Sequence, residues 1–105
     1  MVKRDRNNQN YVKVVDERYT LPKKRGSGII KIEAWEDTEG KLIKYSIAYI
    51  NHGLYLEDNG RVIGYDNAHG YHHKHLFGEI SPVHNFINYE TIIEQFEREI
   101  KEYIK

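Results

Sequence analysis

The segment YDNAHGYHHKH, residues 65–75, holds four of the chain's six histidines behind an Asp-Asn pair. That set is open to several chemistries. His69, His72, His73 and His75 with Asp66 supply enough ligands for zinc or another transition-metal ion. No HExxH or helical His pair is present, and Lys74 sets a cation beside any ion. Histidine also titrates near neutrality, so two imidazoles can share the base and acid roles. Asp66 would orient one ring, and Lys74 would stabilise the charge of a phosphorane-like transition state. Two histidines and a lysine suffice for a metal-independent endoribonuclease, because RNA carries its own 2′-hydroxyl nucleophile. In that reading His73 and His75, or His69 with one of them, are base and acid, and Lys74 holds the scissile phosphate. Asn67 shapes the loop or contacts substrate.

A third reading is binding without cleavage. Histidine, lysine and tyrosine contact phosphates and stack on bases, and Tyr65, Tyr71 and His72 flank the cluster. The plainest alternative is a polar strand whose histidines bond backbone or solvent. His52 and His84 carry no motif and read as structural. Asp58-Asn59-Gly60 has the look of a calcium-loop fragment but reads better as a turn.

These residues need a scaffold. At 105 residues the chain fits one small domain. No apolar stretch approaches the ~20 residues that cross a bilayer. The N-terminus lacks the apolar segment of a secretory signal, which makes the cytoplasm the expected location. Without cysteine there are no disulfides, no thiol catalysis and no cysteine-type zinc finger. Net charge is zero but uneven, because residues 1–25 carry eight Lys or Arg against three acids. A flexible basic arm over 1–10, on an acidic body over 11–105, suits an anionic partner.

The pattern predicts an α+β domain: a four- to five-stranded, mainly antiparallel meander with one C-terminal helix packed on it. YVKVV (11–15) is a short first strand. IIKIEAWE (29–36) and KLIKYSIAYI (41–50) alternate strictly and form a hairpin around DTEG. Trp35 falls on the face away from Ile30 and Ile32, open to core or ligand. Asn59-Gly60 predicts a second hairpin pairing Leu56 with Ile63 and Leu54 with Tyr65, leaving Asp66 on the other face. An extended HHKH sends His73 and His75 one way, His72 and Lys74 the other. SPVHNFIN (81–88) reads as a connection. From Tyr89 the apolar residues repeat at helical spacing, with Asn88 as N-cap.

YDN followed by Ala-His and then HHKH resembles the TumE-like toxins of type II toxin–antitoxin systems. The matching residues are Tyr65, Asp66, Asn67, Ala68 and His69, then His72, His73, Lys74 and His75. Two departures stand out: the histidine region is contracted, leaving a single His69, and Gly64 replaces an arginine before YDN. The resemblance implies a small toxin acting on RNA, with a DNA-binding antitoxin as partner. The helix's apolar stripe would take that antitoxin or a second copy of the chain. No cofactor is expected, and a divalent metal on Asp66, His69, His73 and His75 is the alternative.

Overall fold

The computed structural model describes residues 11–105, so the arm expected over 1–10 lies outside the described residues. The strands are β1 (Tyr11–Thr20), β2 (Ile29–Asp37), β3 (Leu42–Ile50), β4 (Arg61–Asp66), β5 (His73–Leu76) and β6 (Glu79–Pro82), and the helix α1 is Tyr89–Ile100. Each strand pairs antiparallel with the next, in the order β1 to β6.

The class is α+β as expected, but the sheet has six strands rather than four to five. The additional strand is β6, which falls partly where a connection was expected. It is fully exposed, pairs only with β5 and ends in Pro82, a residue that edge strands tolerate. Phe77 and Gly78 join β5 to β6, both at positive φ (46° and 84°). A phenylalanine there is poor hairpin chemistry and hides the turn from a sequence reading. β1 runs past YVKVV to Thr20 because it pairs with β2 along its length.

The β2–β3 hairpin forms in the expected phase. Ile30 faces Tyr49, Ile32 faces Ile47 and Ala34 faces Tyr45. Asp37 Oδ1 closes the turn by accepting from the Glu39 and Lys41 amides at 2.9 and 3.0 Å.

The second hairpin differs from expectation. Asp58, Asn59 and Gly60 do take positive φ (51°, 56° and 81°), as that turn signal demands. The residues before them form no strand, and Leu54 and Leu56 are exposed. β4 pairs instead with β3, setting Ile63 opposite Tyr49 and Tyr65 opposite Ile47. Buried Asn51 diverts the chain at the end of β3. Its Nδ2 donates to the Gly26 carbonyl and Tyr49 hydroxyl, and its Oδ1 accepts from the Gly53 amide.

Helix α1 starts at Asn88, whose side chain accepts from the Thr91 amide at 2.8 Å. Ile92, Phe96 and Ile100 lie buried against one face of β3 and β4. The other face of the sheet carries no α-helix among the described residues. Three tyrosines fill the covered side, and each phenol finds a partner. Tyr45 meets His72, Tyr49 donates to the Ser27 carbonyl, and Tyr65 donates to Glu99 at 2.6 Å.

Candidate active site

Because side chains alternate along a strand, β4 and β5 divide their residues between two environments. Tyr65 and Lys74 pair on the covered side. Asp66 pairs with His73, and Gly64 with His75, on the open side. Asp66 Oδ1 lies 2.8 Å from His73 Nε2, and Oδ2 lies 3.1 Å from His75 Nε2. One carboxylate therefore holds two imidazoles. Ligand atoms of the three residues lie within 4.8 Å of one another.

The partners define the proton positions. His73 Nδ1 lies 3.0 Å from the Tyr71 carbonyl, which can only accept, so that nitrogen carries hydrogen. His73 Nε2 then faces a carboxylate, either as a second N–H of an imidazolium or as a lone pair turned toward a shared cation. His75 is kept below the ordinary histidine pKa of 6.5, mainly by burial and then by the Arg61 charge, with Asp66 working in the opposite direction. Neutral His75 donates its Nε2 hydrogen to Asp66, which leaves Nδ1 as the basic lone pair.

Both histidines are nearly covered, at 3% and 6% exposure, so access depends on what lies over them. Tyr71 does: its ring centroid is 4.6 Å from that of His73, and its own side chain is exposed.

Several expected site residues lie elsewhere. Lys74 Nζ bonds Glu99 Oε2 at 2.9 Å on the helix side, so the sheet separates it from the His73–His75 pair. Burial works against the Glu99 carboxylate, but hydrogen bonds from Tyr65 and Lys74 outweigh it and hold its pKa below the usual value. Tyr65 is buried beside the same Glu99 and does not flank the cluster. His72 stacks on Phe86 with centroids 3.6 Å apart, and its Nδ1 meets the Tyr45 hydroxyl. His69 is exposed in the preceding turn at φ 63° and is not among the three converging residues. Asn67 is engaged with β3, accepting from the Tyr45 amide and donating to the Ile43 carbonyl, both at 3.1 Å. That contact fits the loop-shaping alternative. Of the four candidate metal ligands, Asp66, His73 and His75 converge.

A model of the family described as Toxin TumE matches residues 6–104. The chain belongs to the TumE toxin family. Neither the curated proteins nor the solved structures yield a match. No helix among the described residues is long and apolar enough to cross a membrane.

The TumE-like motif is thus a structural unit: the YDNA strand end and the HHKH strand are the hydrogen-bonded neighbours β4 and β5. The Gly64 departure also gains a physical meaning. A Cβ on Gly64 would lie 3.0 Å from Arg61 Cδ and 2.8 Å from the Ile47 carbonyl oxygen. Glycine leaves room for the Arg61 stem to cross the sheet, bringing Nη1 within 3.6 Å of Asp66 Oδ2. A cation therefore still stands beside the cluster. Sequence reasoning missed Arg61, because a register shift between Tyr49 and Ile50 determines where it points.

Linkage predicts the acid response. Burial also lowers the His72 pKa, with the nearby His73 charge a lesser cause. A histidine whose folded pKa is depressed binds its proton more readily in the unfolded chain. The stability from His72 and His75 is therefore complete above about pH 6.5 and is lost as pH falls through their lower folded values. Urea unfolding in a series from pH 7.5 to pH 5 is expected to show a falling midpoint, and a His72→Phe variant a shallower fall.

Proposed function

We propose that this TumE-family chain is a toxin that cleaves RNA by metal-independent acid–base chemistry at Asp66, His73 and His75. The observation that carries the reading is the single carboxylate bonded to both imidazoles, at 2.8 and 3.1 Å. His75 Nδ1 removes the proton from a 2′-hydroxyl, whose oxygen attacks the adjacent phosphorus. The P–O5′ bond breaks, and the leaving oxygen takes a proton from cationic His73. Tyr71 must first move off His73, freeing the Nδ1 hydrogen now held by its carbonyl. Asp66 keeps both rings oriented throughout. Arg61, not Lys74, is the cation placed to meet the phosphate.

The family name supports a toxin role, and a cognate DNA-binding antitoxin is the natural partner. RNA as target places its action in the cytoplasm. A second copy of the chain is the other occupant for any exposed apolar surface.

One observation favours a second reading, a divalent metal on the same three residues. His73 donates its Nδ1 hydrogen to a backbone carbonyl while Nε2 faces Asp66, the outer contact that metal-bound histidines make. Incubating purified protein with a long single-stranded RNA, with and without EDTA, separates the two. Discrete fragments that survive EDTA, made by protein free of stoichiometric metal on elemental analysis, support the acid–base reading. Cleavage abolished by EDTA and restored by a metal transfers the site to metal chemistry. Saturable RNA binding with no fragments leaves a non-catalytic binding module.

A further inference from the structure

We propose that the open face of the sheet is a track for single-stranded RNA, with Trp35 as a stacking platform that leads the strand to the Asp66 cluster. The inference rests on RNA being the target and adds where and how it is held. Trp35 lies on β2 between Lys13 of β1 and Lys44 of β3, on the side opposite buried Ala34 and Tyr45. Its ring is partly exposed, with the Lys13 and Lys44 ammoniums 5.2 and 4.6 Å from its centroid. A base can displace the Lys44 ammonium from the indole face and leave it beside a flanking phosphate, while Lys13 stays tied to Glu33 and Asp16.

The next rungs continue the track. Glu33, Ser46, Asp66 and His73 face one another across β2 to β5, and Lys31, Ala48, Gly64 and His75 do the same one step along. Small residues at Ser46 and Ala48 leave a trough of about 210 Å³, bounded by Lys31 and Arg61 and by the carboxylates of Glu33 and Asp58. Among the described residues Lys31 and Lys44 have no carboxylate partner, while Glu33 is bound by Lys13 and Asp58 by Arg61. Lys13 and Arg61 each serve a second carboxylate, Asp16 and Asp66, which leaves Lys31 and Lys44 as cations available to phosphate. From Trp35 to His73 is three strand spacings across and two residues along, about 16 Å, a span of a few nucleotides. A duplex hides its base faces and cannot stack on Trp35, so the occupant is single-stranded.

The chain contains one tryptophan, so its fluorescence reports on this platform alone. The test titrates the full chain with a short 2′-O-methyl RNA, which binds without being cut. Saturable quenching that weakens as salt rises is expected. A Lys31→Gln Lys44→Gln variant should bind about tenfold more weakly. By filter binding, Trp35→Leu should lose about tenfold and Trp35→Phe little. A His69→Ala variant, altered outside the track and the Asp66 cluster, should bind unchanged. Absent quenching, unaltered affinity in the lysine variant, or a preference for duplex would overturn the track. Tighter binding of the matching single-stranded DNA would overturn RNA as its ligand. Quenching without cleavage in any assay would keep the track and remove the catalytic reading.

Discussion

His75→Asn is expected to lower RNA cleavage by about a hundredfold to ten-thousandfold, the range that a positioned general base contributes. Asparagine has no basic nitrogen to replace Nδ1, and its shorter amide gives up the Nε2 contact with Asp66. The fold is expected to survive, because one altered hydrogen bond costs about 1 kcal/mol against a domain stability of about 5–15 kcal/mol. His73→Asn should give a loss of similar size, and the double variant little more than either alone, since base and acid act as a unit. Exposed His69 is the internal control, and His69→Ala should cleave at close to the parent rate. Single-turnover rates on one RNA, with circular dichroism of each variant, decide the matter. Parent-like rates in both His73→Asn and His75→Asn would remove these residues from the chemistry.

Phe96→Ala is expected to cost about 3–5 kcal/mol, the range for removing a buried aromatic ring. Phe96 is 1% exposed and sits midway between Ile92 and Ile100 on the buried stripe of α1. Among the described residues α1 is the one α-helix on this apolar face, and Phe96 is its large buried aromatic, so its removal leaves a cavity in the core. Such a loss can consume much of a small domain's stability. A large drop in the urea midpoint is the expected result. A midpoint close to the parent's would mean that α1 contributes far less to the core than its burial indicates.

What the sequence disclosed follows from where periodicity is strongest. β2 and β3 place apolar residues at alternate positions, Ile30, Ile32 and Ala34 against Tyr49, Ile47 and Tyr45, so their alternation was readable and their register followed. The same rule sorted His73 and His75 from His72 and Lys74. The edges were harder. β6 buries nothing and is joined through Phe77 at positive φ, so neither apolar pattern nor turn residue marks it. The Asn59-Gly60 signal held for the backbone and failed for the pairing, because Asn51 ends β3 and longer-range packing selects β3 as the partner of β4. At the site, the convergence of Asp66, His73 and His75 follows from adjacent strands, but the partners of Lys74 and Arg61 do not. Glu99 lies 25 residues beyond Lys74, and the path of Arg61 needs both a register shift and an empty Gly64.

The division of labour along β4 and β5 also bears on how relatives can diverge. Tyr65 and Lys74 serve the packed layer beneath α1, while their neighbours Asp66, His73 and His75 serve the opposite face. Substitutions at Lys31, Trp35 or Lys44 disturb no contact made by Ile92, Phe96 or Ile100, and effects at such separated positions add rather than interact. A lineage can therefore exchange what it grips without renegotiating how it folds. Melting temperature and target preference become two independently heritable traits written in alternate letters of the same strands.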